Sequence, residues 1–150
     1  MNKIIHLSTR LKCDPHLAFE MFTVNRHLES WLVPTAEVEP VQGGRYELFW
    51  DSSDRENNST IGCRITVVRS DQLLAFEWRS PKQFKHFANQ ADPLTHVVVC
   101  FILSHDGTDV HLVHSGWRSS KEWEEARQWQ ERAWRGAFQD LEKQVNCEYT

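Results

Sequence analysis

SSKEWEEARQWQERAWRGAFQDLEKQV, residues 119–145, carries the longest helical pattern in the chain, and the rest of the sequence is read outward from it. At about 100° per residue, Trp123, Ala126, Ala133, Trp134, Ala137, Phe138, Leu141 and Val145 share one side, the stripe of a helix laid on a core. Glu124, Glu125, Gln128, Glu131, Arg132, Arg135 and Gln139 cover the solvated back. Arg127 and Gln130 fall inside the apolar stripe, where a helix that only sealed a core would carry Leu or Ile. The alanines leave space, and two long polar side chains in that space need partners or water. The pattern predicts that this helix forms one wall of a pocket.

Upstream, residues 3–11 alternate Ile5, Leu7, Thr9 and Leu11 with polar neighbours, which predicts a half-buried strand. Asp14-Pro15 supplies an N-cap and a first-turn proline, and Leu17, Ala18, Met21 and Phe22 follow at helical spacing. A second short helix, Asn25–Trp31, presents Leu28 and Trp31 before Pro34 stops it. The period then changes to two. Strands are predicted at 35–39, at 45–51 after Gly43-Gly44, at 60–69, at 73–79, at 94–104 and at 109–115. Tyr46, Leu48 and Trp50 share a face; so do Ile61, Cys63, Ile65 and Val67; so do Leu74, Phe76 and Trp78, opposite Ala75, Glu77 and Arg79. Residues 94–104 are apolar on both faces, as a central strand should be. Residues 80–92 are polar and aperiodic but carry Phe84 and Phe87, a candidate flap over whatever the sheet encloses.

One strand, two short helices, a run of antiparallel strands and a long closing helix make an α+β domain spanning 1–150. The expected architecture is a curved antiparallel sheet of about six or seven strands wrapped on the terminal helix, which is ~40 Å long at 1.5 Å per residue. The volume between helix and sheet is either filled or left open for a ligand.

Composition excludes several classes of function. The chain has 150 residues, 40% hydrophobic and 25% charged, with net charge −4 and no Lys/Arg cluster, so a nucleic-acid partner is not expected. No apolar run reaches membrane-spanning length and no secretion signal opens the chain, so the expected location is cytoplasmic. Cys13, Cys63, Cys100 and Cys147 form no C-x-x-C pair, and are read as free thiols. Among the eight histidines, His111-x-x-His114 would point to opposite faces of a regular strand, and metal binding is unsupported. No nucleophile elbow, phosphate loop or dinucleotide fingerprint is present, so neither a cofactor nor a catalytic set is assigned.

The seven tryptophans are the most unusual compositional feature. Trp31, Trp50, Trp78 and Trp134 fall on apolar faces with Tyr46, and together they predict an aromatic-lined cavity. His114 shares its strand face with Val110 and Leu112, so it points inward, where it would orient a ligand or pair with Glu77, Arg127 or Gln130. The candidate ligand-binding set is therefore Trp31, Tyr46, Trp50, Trp78, His114, Arg127, Gln130 and Trp134. Trp117, Trp123 and Trp129 are placed at the mouth or flank as a hydrophobic rim.

Local motifs in a fixed order carry a family resemblance. They are Asp14-Pro15, Leu28-x-x-Trp31, Glu37-Val38-Glu39-Pro40 followed by Gly43-Gly44-x-Tyr46, and Gly62. Leu73-Leu74-Ala75-Phe76-x-Trp78, Gly107-Thr108, His114-Ser115-Gly116-Trp117, and Ala133-Trp134 with Leu141 complete the series. In these the chain resembles the START-like superfamily with the helix-grip fold. More closely, it is similar to bacterial relatives of the C-terminal domain of the activator of the ninety-kilodalton heat-shock-protein ATPase. The resemblance implies a fold and a cavity, since the superfamily includes lipid and hormone carriers, polyketide cyclases and the chaperone-activating domain itself. Nothing in the sequence corresponds to the separate N-terminal domain with which the eukaryotic activator also grips its chaperone.

Three functions are in competition. The first is binding of a small, largely hydrophobic or aromatic molecule between sheet and helix. The second is a co-chaperone-like interaction with a heat-shock ATPase. The third is a cyclase- or hydrolase-type enzyme using a pair such as His114 and Glu77, which the predicted register sets on opposite strand faces. Oligomeric state stays open.

Overall fold

Ser120 starts the long terminal helix: its hydroxyl accepts the Trp123 amide at 3.1 Å, so the helix begins at Lys121 rather than at residue 119. In this computed structural model, which describes residues 3–146, the chain runs β1 (Ile5–Leu11), α1 (Pro15–Thr23), α2 (Asn25–Trp31), β2 (Thr35–Val38), β3 (Tyr46–Phe49), β4 (Ile65–Arg69), β5 (Leu73–Glu77), a 3-10 turn (Lys82–Phe84), α3 (Lys85–Ala88), β6 (His96–Ser104), β7 (Gly107–Ser115) and α4 (Lys121–Asn146). Asp14 caps α1 as predicted, accepting the Leu17 amide at 2.9 Å. Cys13, Cys63 and Cys100 are free, and Cys147 lies outside the described residues.

The predicted strands form two sheets. Five of them pair antiparallel in the order β1-β7-β6-β5-β4, and β2-β3 forms a separate hairpin. A bridge at Arg45↔Arg64, next to the starts of β3 and β4, joins the two, so the whole makes the curved surface of a helix-grip fold. Ile5, Leu112, Val97, Val99, Leu74 and Phe76 face inward, and α4 closes on them with Ala126, Gln130, Trp134, Phe138, Leu141 and Val145. The α4 stripe read from helical periodicity is thus the buried one. Gly107 lets β7 start tight against β1, since a Cβ there would lie 2.1 Å from the Leu11 carbonyl oxygen, at φ +152°.

Four expectations need correction. The strand predicted at 60–69 begins only at Ile65, because Thr60 takes up hairpin backbone groups with its hydroxyl: it accepts from the Leu48 amide and donates to the Tyr46 carbonyl, both at 2.8 Å. A register shift between Ile65 and Val67 then turns Val67 outward and Val68 toward the core. Central strand β6 is buried on one face only, and Ile102 on the other is 52% exposed.

The stretch 80–92 is not an aperiodic flap over the sheet. It folds into the 3-10 turn and α3, clasped by Ser80 N–H to Asn89 Oδ1 at 2.7 Å and Asn89 Nδ2 to the Ser80 carbonyl at 2.9 Å. Phe84 and Phe87 pack edge-on against Trp129 and Trp123, covering a flank of α4.

Candidate functional site

Between α4, the end of α2 and the segments that follow β3 and β5 lies a cavity of about 640 Å³. Its α4 wall includes Trp129, Gln130, Ala133, Trp134, Gly136 and Ala137, with Arg132, Gln139 and Asp140 among the polar members. The alanines predicted to leave space do so here at Ala133 and Ala137, whereas Ala126 is buried in the core. Trp31, at the last turn of α2, and Trp50 and Trp78, just past β3 and β5, form the facing wall.

The indoles are held by one another and by the protein. Trp78 lies 5.0 Å from Trp134 and 6.0 Å from Trp50, centroid to centroid, the latter edge-to-face. Trp78 Nε1 donates to Gln130 Oε1 at 3.2 Å, Trp31 Nε1 to the Met21 carbonyl at 2.8 Å, and Trp134 Nε1 to His114 Nδ1 at 3.1 Å. With these N–H groups spent internally, what these three rings offer the cavity is apolar surface and π-faces. Their orientations are fixed before anything enters, which lowers the ordering cost of binding.

His114 stands behind this wall. An indole N–H can only donate, so Nδ1 accepts and the ring's proton sits on Nε2, which then donates to Thr95 Oγ1 at 3.0 Å. Complete burial, with the nearby His96 adding to it, pushes the His114 pKa down to about 3, so the ring is neutral. Glu77 cannot pair with it. That carboxylate, at the end of β5, accepts the Arg64 amide at 2.9 Å, and the His114 nitrogens are both occupied. The His114–Glu77 acid–base pair offered for the enzymatic reading does not form.

The structure brings Trp31, Trp50, Trp78, Gln130 and Trp134 to one cavity, together with Trp129, which the sequence placed only on the flank. Three other predicted site residues lie elsewhere. Tyr46 is fully buried in the core, stacked on Phe76 at 3.8 Å, with its hydroxyl donating to the Phe22 carbonyl at 2.8 Å. His114 is the support just described. Arg127 buries its stem and turns its guanidinium along the helix to Glu124 and Glu131, away from the cavity. Of the expected rim, Trp117 is buried, its N–H on the His114 carbonyl at 3.1 Å, and Trp123 packs against it and Phe87.

Sequence reasoning missed Arg79. Strict alternation placed it opposite Trp78, but β5 ends at Glu77 and both residues line the cavity. The usable signal was Ser80-Pro81 immediately after, since a proline ends ladder pairing and releases the residues before it from the pleat. Among the described residues no group of three or more His, Cys, Asp or Glu side chains is placed to hold a metal ion, and no helix is long and apolar enough to cross a membrane.

Residues 12–146 match the family described as Activator of Hsp90 ATPase homolog 1-like protein. No curated protein is significantly similar in sequence. Among solved structures, protein MLL2253 from Mesorhizobium loti superposes with a TM-score of 0.73 at 18% identity, covering 94% of this chain and 95% of that one. The Aha1 dimer from Colwellia psychrerythraea gives 0.70 at 13% identity over 95% and 96% of the two chains. DynU16, a protein of the dynemicin biosynthetic locus, gives 0.69 at 12% identity, with 95% of this chain matching 47% of that one. At these identities the likeness is one of fold.

Proposed function

Because the chain belongs to the Activator of Hsp90 ATPase homolog 1-like family, whose fold lays a sheet against a long helix, we propose that it binds a small, largely apolar or aromatic molecule between them. One observation carries this reading: the cavity of about 640 Å³ has a wall of five indoles, and the N–H groups of Trp31, Trp78 and Trp134 are hydrogen-bonded to the protein itself. The volume falls within the ~300–1,000 Å³ typical of small-molecule sites, and a mostly apolar wall with few polar groups is their usual chemistry. Trp31, Trp50, Trp78, Trp129 and Trp134 supply the apolar contact, and Gln130 holds Trp78 in place. Calorimetric titration with naphthalene-1-acetamide, a neutral bicyclic probe, tests the reading. Saturable one-to-one binding that is lost in Ala133→Trp, which fills the cavity from α4, supports it. No binding by wild type of this probe or of its acid counterpart, naphthalene-1-acetate, or binding that survives the filled cavity, overturns it.

The family's description favours a second reading, a domain that stimulates a heat-shock ATPase. Stimulated ATP turnover on adding the protein to the purified chaperone would support it. Unchanged turnover together with no co-elution would remove it.

A further inference from the structure

Five of the eleven arginines of this protein have carboxylate counter-charges among the described residues. Arg10, Arg45, Arg55, Arg127 and Arg135 each pair with a carboxylate. Arg79 does not, although it lies in the wall of the cavity beside Trp78 and Trp50. Its Nε is buried without a hydrogen-bond partner, and its guanidinium forms no ion pair among the described residues. The guanidinium lies beside Gly62, and the Cys63 thiol, a weak acceptor, is among its polar neighbours. A guanidinium with five donors that is partly withdrawn from water and lacks a carboxylate is costly unless something else supplies the acceptor. The cavity whose wall Arg79 joins is where such an acceptor can enter.

We propose that the ligand of this cavity carries a carboxylate and that Arg79 receives it, so that the ligand class is a small aromatic or apolar carboxylic acid. This rests on the cavity reading above and gives the bound molecule its polarity and direction. The planar fork of arginine matches a carboxylate's two oxygens, and neighbouring indoles exclude water and strengthen the contact. Arg132, also in the lining, adds positive charge, while Asp140, the one carboxylate there, stands about two turns further along α4. The acid head is therefore drawn to the Arg79 end and the ring system lies along the tryptophans.

The experiment compares two probes of one shape at neutral pH, naphthalene-1-acetate and naphthalene-1-acetamide, by calorimetry on the full chain. Wild type is expected to bind the acid at least about tenfold more tightly than the amide, the difference expected of a charge-assisted hydrogen bond. Arg79→Gln should abolish that preference, bringing the acid's affinity down to the amide's, and Arg127→Gln, outside the cavity, should keep it. Raising the salt concentration should weaken the acid and spare the amide. The wild-type comparison stands whether or not the Arg79 variant folds. Equal affinities for acid and amide, or a preference that survives Arg79→Gln, would overturn this inference and leave the cavity reading intact. Failure of both probes to bind would overturn the cavity reading and this inference with it.

Discussion

Replacing Gly136 by leucine should strengthen the protein and disable its cavity at once. Gly136 sits inside α4, lines the cavity, and a Cβ built there meets no atom within 4 Å. In a helix interior glycine costs ~1 kcal/mol relative to alanine, and leucine is close to alanine, so Gly136→Leu gains ~0.8 kcal/mol from backbone propensity alone. For a domain of this size that raises Tm by about 2–3 °C. The four added carbons reach into the space a ligand would occupy, and affinity for naphthalene-1-acetamide should fall by at least about tenfold, or ~1.4 kcal/mol. Thermal and urea unfolding read the first effect and calorimetry the second. Most substitutions that impair binding also destabilise, so the opposite signs identify the mechanism. The reasoning is refuted if the variant is less stable than wild type, which would mean the space is already filled. It is refuted equally if the variant is more stable and binds unchanged, which would put the ligand elsewhere.

The remaining predictions concern the frame around the cavity. His114 has its pKa lowered to about 3 by burial, against an unfolded value near 6.5, so below pH 6.5 the unfolded state takes up a proton that the folded state refuses. Stability is fully present above about pH 6.5 and falls as pH drops toward 3, by up to ~1.4 kcal/mol per pH unit from this group; unfolding measured from pH 7 to 4.5 should show a shallower slope in His114→Gln, and parallel slopes would contradict the assignment. Trp78→Phe leaves Gln130 Oε1 buried without its donor and should cost ~1–3 kcal/mol beyond the loss of ring area, read by urea unfolding; no loss would mean that the hydrogen bond is dispensable. Gly107→Ala forces a Cβ against the Leu11 carbonyl at positive φ and should destabilise by more than about 2 kcal/mol, whereas a neutral effect would show that the β1–β7 contact is looser than described.

Local signals made the frame legible and failed where tertiary contacts decide. The α4 stripe, the Asp14-Pro15 start of α1 and the limits of α2 were readable because capping and periodicity are short-range. The late start of β4 was not, because Thr60 replaces ladder hydrogen bonds only once the β2-β3 hairpin lies beside it. Alternation correctly turned Tyr46 and His114 inward, but it cannot tell a core position from a cavity wall. For Tyr46 the difference is a stacking partner, Phe76, and for His114 it is Trp134, both distant in sequence. A helical wheel places Arg127 by its Cα, while its charge follows a long stem to Glu124 and Glu131. Arg79 escaped notice because alternation was extended past the end of its strand.

Seven tryptophans spread through the fold make the central claim measurable residue by residue. Titrating naphthalene-1-acetamide into protein labelled at its indole rings, and following each ring by NMR, reports where the ligand sits. The account predicts that resonances of Trp31, Trp50, Trp78, Trp129 and Trp134 move together with one saturation curve while those of Trp117 and Trp123 stay in place. Shifts confined to Trp117 and Trp123, or absent from all seven at saturating probe, would contradict it.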